Sequence, residues 1–332
     1  MIVVATGCPA SVGPELSLKA ATEVLHVPIV LVGDEATLRA AAELVSVRDD
    51  RLLTLGRSAP KAPGIYLLKA GPALGMADRN PGKPTKTSGL AQLRYVEEAF
   101  AFAKKHRAPL VTAAVSKAAI AHSGDRAAKK FRGHTEWLQA LDGAAPVTMC
   151  FWSTRLTTSL VTTHLPVKSV PRALSAEGVL RATLHLAELL FATGKSKPRL
   201  AVCSLNPHAG ESELLGTEER HAILPGIAEA SRRLRGKAEV VGPVGAETAY
   251  RLAAAGQYDG VVAMYHDQAT IPMKLLAFGD AVNVTLGLSI IRTSVDHGTA
   301  YDIAWKNIAD VEGMRAAVQL AVRLSEKPRR RG

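Results

Sequence analysis

Cysteine is scarce in this chain of 332 residues: Cys8, Cys150 and Cys203 are odd in number, far apart and form no C-x-x-C pair. That excludes a disulfide framework and a cysteine zinc knuckle, and it points to buried thiols in a reducing compartment, the cytoplasm by default. Aromatic residues make up 5% of the chain, too few for the stacking platforms that single-stranded nucleic acid requires. No apolar run approaches the roughly 18 residues that span a bilayer. The opening MIVVATGCPASVGPE is apolar but has no basic leader, and Pro and Gly soon break it. It reads as a first strand, not a signal peptide.

A formal net charge of +11 suits either a nucleic-acid binder or an enzyme of anionic substrates. The Lys and Arg residues are mostly scattered through helical segments. The one dense run, Lys327-Pro328-Arg329-Arg330-Arg331, is a terminal tail with no interleaved aromatics, so neither nucleic acid nor membrane is the expected partner. The length is comfortable for two domains.

Short β-branched runs alternate with helical periodicities, the pattern of a parallel α/β sheet. Strands are expected at Ile2–Thr6, Pro28–Val32, Leu52–Leu55, Ile65–Leu68, Pro109–Ala113, Arg199–Leu205, Glu239–Gly242 and Gly260–Met264. Pro146–Trp152 and Leu156–Thr162 suit a hairpin. Helices are expected at Glu35–Leu44, at Gly89–Lys105 behind a Thr87-Ser88 cap, from Ser175 to Phe191, and at Glu218–Leu234 and Asp310–Ser325. Residues 70–86 read as an irregular loop. Gly7 to Gly13 reads as a strand-to-helix turn whose backbone N–H groups are available to an anion.

The polar residues most suggestive of chemistry follow strands, where open α/β sheets bind ligands. His164, His208 and His266 each come just after an expected strand, and three imidazoles with no cysteine nearby suit an open catalytic metal site. Lys274, Asn283 and Arg292 offer a cation, an amide and a guanidinium, a clamp for an anionic, oxygen-rich molecule. His134 and Thr135 stand just before an expected helix, where Thr135 can cap and both side chains can point at a ligand near the positive end of the dipole. Each of these residues taken singly also suits an ordinary turn or surface role; the clustering from Tyr265 to Thr299 favours a site.

The motifs Thr6-Gly-Cys-Pro-Ala-Ser-Val-Gly-Pro-Glu15, Gly133-His-Thr-Glu136, Thr163-His-Leu-Pro166, Leu205-Asn-Pro-His-Ala-Gly-Glu211, Gly242-Pro-Val-Gly-Ala-Glu-Thr248, Met264-Tyr-His-Asp-Gln268 and Val282-Asn-Val-Thr-Leu-Gly-Leu288, running into Arg292-Thr-Ser-Val-Asp-His-Gly-Thr299, resemble the 4-hydroxythreonine-4-phosphate dehydrogenase (PdxA) family across essentially the whole chain. The resemblance implies two α/β/α domains with an interdomain cleft, similar to isocitrate and isopropylmalate dehydrogenases. One domain is expected at 1–125 plus 287–332 and the second at 126–286. It further implies a homodimer with shared active sites and a divalent metal (Zn, Mg, Co or Mn) on His164, His208 and His266. Substrate contacts are implied for His134, Thr135, Lys274, Asn283 and Arg292. His297, Gly298, Thr299 and Asp302 resemble the loop that holds the adenosine end of NAD or NADP in the related dehydrogenases. Asp267 and Asp296 are the candidate catalytic bases, and both equally suit groups that orient histidines.

The implied reaction oxidises 4-phosphohydroxy-L-threonine to 2-amino-3-oxo-4-phosphooxybutanoate, which decarboxylates to 3-amino-2-oxopropyl phosphate in pyridoxal phosphate biosynthesis. Departures stand at Cys8 in place of Asp, Ser11-Val12 in place of Gly-Ile, Glu247 in place of Asp, and Trp305-Lys306-Asn307 in place of Gly-Lys-Gly. They leave open a sibling dehydrogenase of a four-carbon acid phosphate or a cis-dihydrodiol dicarboxylate. From another class, a metal-dependent phosphate-ester hydrolase or phosphotransferase would use the same anion clamp.

Overall fold

Aliphatic runs without polar interruption become the interior strands of two α/β units. The computed structural model describes residues 1–55, 58–143 and 146–326, so the basic tail lies outside the described residues. One unit comprises Met1–Val147 and the return segment from Leu288; the other is Thr148–Gly287.

In chain order the first unit contains β1 (Ile2–Ala5), α1 (Gly13–Glu23), β2 (Pro28–Gly33), α2 (Glu35–Leu44), β3 (Leu52–Thr54), β4 (Gly64–Lys69), α3 (Lys86–His106), β5 (Leu110–Thr112), α4 (Lys117–Ala121) and α5 (His134–Asp142). The second holds β6 (Thr148–Trp152), β7 (Thr157–Leu160), α6 (Val170–Ala173), α7 (Ala176–Ala192), β8 (Arg199–Cys203), α8 (Leu224–Arg233), β9 (Glu239–Val244), α9 (Ala246–Ala254), β10 (Gly260–Ala263), α10 (His266–Leu276) and β11 (Val282–Leu286). The chain then returns to the first unit with β12 (Arg292–Val295) and α11 (Glu312–Glu326).

The first unit orders its strands β3-β4-β2-β1-β5-β12, all parallel. β1 and β2 are buried at every position, as expected of parallel strands with both faces covered. Their core includes Val3, Val30, Tyr95, Val96, Phe100 and Leu110. The second unit orders its strands β11-β6-β7-β10-β8-β9. The β6–β7 hairpin and the β11–β6 pair are antiparallel, and β7, β10, β8 and β9 run parallel.

Local chemistry sets most helix starts. Asp34 caps α2 by accepting from the Thr37 N–H at 2.8 Å, and Ser175 caps α7 by accepting from the Gly178 N–H at 3.1 Å. Four sequence expectations change. α3 begins at Lys86 behind a Thr85/Ser88 capping box, because Thr85 rather than Thr87 presents its hydroxyl to the third helical N–H. A short helical turn, Met76–Arg79, interrupts the 70–86 loop. The helix expected from Glu218 divides into a π-helical turn, Glu219–Ile223, and α8. Residues 126–147 pack with the first unit: Ala128 and Phe131 join Leu93 and Ile120, and Leu138 enters the main core.

Candidate active site

Three neighbouring parallel strands of the second unit carry the three histidines. β10 lies between β7 and β8, parallel to both, so their carboxyl ends share one edge. His164 follows β7, His208 follows β8 and His266 follows β10. His266 opens α10 behind an extended Tyr265. Gln268 in the first turn accepts from the Met264 N–H at 2.7 Å and donates to the Ser204 carbonyl at 2.9 Å, tying α10 to the end of β8.

The structure brings His164 and His266 together, with ring centroids 5.5 Å apart. Two imidazoles sharing one tetrahedral cation at about 2.1 Å per nitrogen place their ring centres roughly 5 Å apart, so the pair fits such an ion. Asp267 Oδ1 lies 2.8 Å from His266 Nδ1. A carboxylate only accepts, so Nδ1 donates in this pair, the contact that orients a ligating imidazole in metal sites. Among the described residues no group of three His, Cys, Asp or Glu able to hold a metal forms within this one chain. His208 is on the adjacent loop and exposed.

The His208 loop has an unfavourable backbone. His208, Ala209, Glu211, Ser212 and Glu213 all have positive φ, between 42° and 74°, around Gly210 at 86°. The left-handed conformation costs roughly 1–2 kcal/mol for each residue with a Cβ. Gly210 fits because a Cβ there would stand 3.1 Å from both Glu219 Oε2 and the Gly216 carbonyl.

In the first unit Arg292 and Lys117 lie close enough to His134 to act on it electrostatically. Arg292 is 2% exposed and donates from Nη2 to Thr112 Oγ1 at 2.6 Å. Burial pulls its pKa down to about 9, against the raising effect of Glu136; the guanidinium is still cationic at neutral pH. His134 has a buried Nε2 with no hydrogen-bond partner. Burial pushes its pKa well below the ordinary value, and the charges of Arg292 and Lys117 push the same way. A neutral ring beside two cations, with an unsatisfied nitrogen, is prepared for a polar ligand atom. Thr135 does not cap α5. The N-cap is the extended Gly133, and the helix already includes His134, which leaves Thr135 at the second helical position, buried. Lys274, exposed on α10, and Asn283, half-buried on β11, belong to the second unit.

The loop resembling a cofactor cradle packs inside the first unit. Val12 N–H donates to the Thr299 carbonyl at 3.3 Å, and Trp305 Nε1 donates to the Pro9 carbonyl at 2.9 Å. Glu15, 1% exposed, accepts from the Trp305 and Asn307 N–H groups at 3.2 and 3.1 Å. Those two residues have φ of 61° and 58°, so the departures from Gly keep the left-handed bends, and Glu15 holds them. His297 is exposed with Nδ1 against the Gly298 carbonyl at 2.8 Å; Asp302 is exposed and Asp296 half-buried. The Gly7–Gly13 turn offers no free row of N–H groups to an anion. It is buried, and Cys8, Ser11, Val12 and Gly13 N–H all donate to protein oxygens. Cys8 lies 3.5 Å from Tyr301 Oη, and burial raises its thiol pKa, so a neutral group stands there. Glu247 points outward toward Arg251 on α9.

Lys117, Glu136, Glu15 and Glu219 contact the candidate residues or their loops and were passed over by sequence reasoning. Lys117 follows β5, so the strand-end criterion applied to the histidines was available for it too. The carboxylates gave no local signal, because their partners lie outside their own helical turns: backbone N–H groups of Trp305 and Asn307 for Glu15, the Leu205–Asn206 loop for Glu219, and the charge of Arg292 for Glu136.

The description "Pyridoxal phosphate biosynthetic protein PdxA" belongs to the family model that matches residues 25–321. The chain is 40% identical over 330 residues to a 4-hydroxythreonine-4-phosphate dehydrogenase of Geobacter metallireducens, covering 98% of this chain and 95% of the relative. It is 36% identical over 330 residues to the D-threonate 4-phosphate dehydrogenase of Salmonella typhimurium, covering 98% of each. A solved structure of 4-hydroxythreonine-4-phosphate dehydrogenase from Klebsiella pneumoniae superposes with a TM-score of 0.82 at 34% identity, over 98% of both chains. Fold and relatives together define an oxidoreductase acting on a CH–OH group. The chain belongs to the PdxA family.

Proposed function

We propose that the chain catalyses the metal-dependent, NAD(P)-linked oxidation of 4-phosphohydroxy-L-threonine to 2-amino-3-oxo-4-phosphooxybutanoate, followed by decarboxylation to 3-amino-2-oxopropyl phosphate, in the cytoplasm. The observation that carries this reading is the His164–His266 pair with Asp267 behind it, in a chain matched along nearly its full length by 4-hydroxythreonine-4-phosphate dehydrogenases. When bound, a divalent cation (Zn, Mg, Co or Mn) supplies Lewis acidity toward the substrate hydroxyl, and NAD or NADP supplies the hydride acceptor. His164, His208 and His266 would hold the cation. Arg292, His134 and Thr135, with Lys274 and Asn283, hold the substrate's phosphate and polar groups by charge-assisted hydrogen bonds. Asp267, which orients His266, and Asp296 are the candidate acceptors of the hydroxyl proton. His297, Gly298, Thr299 and Asp302 face the cofactor's adenosine end.

A homodimer completes the site in this reading. Ile271 and Leu275 on α10 and Phe278 just beyond its end are 60%, 80% and 86% exposed, an apolar patch suited to a second copy. The two subunits then share the histidines that one chain does not gather. A second reading, oxidation of D-threonate 4-phosphate, is favoured by the 36% identity to a dehydrogenase of that compound. The two substrates differ at C2, amino against hydroxyl. Reduction of NAD and of NADP is measured with both phosphates, their dephosphorylated forms and a dihydrodiol dicarboxylate. Turnover of 4-phosphohydroxy-L-threonine at the highest kcat/KM supports the first reading; preference for D-threonate 4-phosphate establishes the second. Phosphate release without cofactor reduction refutes both.

A further inference from the structure

The loop from Leu205 to Glu213 holds a conformation its residues do not favour, and one buried carboxylate supplies most of what fixes its start. Glu219 is 5% exposed. Its Oε1 accepts from the backbone N–H of Leu205 at 2.9 Å and of Asn206 at 2.8 Å, and its Oε2 accepts from Asn206 Nδ2 at 3.0 Å. The same Oε2 is the atom that closes off space above Gly210. Glu219 thus holds the chain by hydrogen bonds at Leu205 and Asn206, just before His208, and its Oε2 lines the space beside Gly210, two residues after it. It opens the π-helical turn Glu219–Ile223, a kind of irregularity frequent at functional sites. The carboxylate's own partners are all on the His208 loop, not in its helix.

We infer that Glu219 is the positioning residue of His208, setting the left-handed turn that aims the imidazole at the metal. This rests on the reading of His208 as a ligand. Glu219 touches neither substrate nor cofactor; it acts through the loop. Replacing it with Gln keeps the size but turns one acceptor into a donor, which meets the donating Asn206 amide and releases one anchor. Groups behind a metal ligand typically change affinity 10–100-fold when lost.

The test uses the full-length protein, with Zn2+ affinity by equilibrium dialysis and the visible absorption of the Co2+ form. Glu219→Gln is expected to weaken Zn2+ binding about tenfold and to alter the Co2+ spectrum, while Glu229→Gln on α8 leaves both unchanged. A merely structural role would lower the melting temperature without moving the Co2+ spectrum. Should Glu219→Gln fail to fold, Asn206→Ala removes one arm of the anchor and is expected to weaken binding several-fold. Metal affinity within twofold of the parent in the folded Glu219→Gln or Asn206→Ala protein, with His208→Ala strongly impaired, overturns the inference. Unchanged binding in His208→Ala overturns the ligand reading itself, and this inference with it.

Discussion

His266 donates from Nδ1 to Asp267 Oδ1 at 2.8 Å, and its ring centre lies 5.5 Å from that of His164. A carboxylate behind an imidazole fixes its tautomer and raises its basicity toward a cation. Asp267→Asn is therefore expected to weaken divalent-metal binding about tenfold and His266→Ala by that or more. Metal content after dialysis against a chelator checks both. Full metal retention in His266→Ala would remove the assignment.

The apolar patch at the end of α10 predicts an association state. Leu275 is 80% exposed between Ile271 and Phe278, so Leu275→Glu places a charge in any interface formed there. Sedimentation velocity is expected to shift the protein from dimer to monomer, with activity falling in parallel. A fully active monomer would show that the site is complete within one chain.

The strand–helix alternation, the β6–β7 hairpin and the histidines' shared sheet edge were legible in the sequence, because periodicity and burial are local signals. The fate of Thr135 was not, since an extended Gly133 displaces it from the cap. Nor were the roles of Glu15 and Glu219. Each stands in an opening helical turn, where an acidic residue ordinarily complements the dipole. Glu15 instead bonds Trp305 and Asn307, about 290 residues away, and Glu219 bonds a preceding loop. Only tertiary structure distinguishes a dipole partner from a buried anchor.

Glu15 makes the next prediction. If it holds the 297–307 loop through the Trp305 and Asn307 N–H groups, Glu15→Gln loses one of two acceptors. NAD(P) affinity, followed by protein fluorescence, is expected to fall several-fold with little change in metal binding. Unchanged affinity would separate this loop from the cofactor.

Stability should depend on pH through two depressed histidines. Burial, then Arg181, brings His185 to about 4, and His134 lies well below its ordinary 6.5. Between about pH 6.5 and 4 the unfolded chain binds protons that the folded rings refuse, so unfolding free energy falls as pH falls and is flat above about 7. Each group contributes at most roughly 1.4 kcal/mol per pH unit. Urea titrations at pH 7.5 and 5.5 measure the slope, and His185→Gln should reduce it. An equal slope in that variant would show His185 to be protonated alike in both states.

Arg292 bears on substrate class most directly. It is a buried cation of the first unit, fixed by Thr112 Oγ1 and drawn electrostatically to Glu136. A buried guanidinium that keeps its charge has already lost its hydration, so an incoming anion gains more from it than from an exposed lysine. A phosphate at neutral pH brings more charge than a carboxylate and three acceptor oxygens, matching the guanidinium fork and the unsatisfied His134 Nε2. Arg292→Ala is thus expected to lower kcat/KM for the phosphorylated substrate at least a hundredfold, on the scale of a lost buried charge pair. Turnover of the dephosphorylated analogue should change far less, which narrows the gap between the two. Arg292→Lys, which keeps the charge but loses the fork, should fall between them. If Arg292→Ala impairs both substrates equally, the guanidinium holds a group they share, such as the carboxylate, and the phosphate belongs to Lys274 and Asn283 instead.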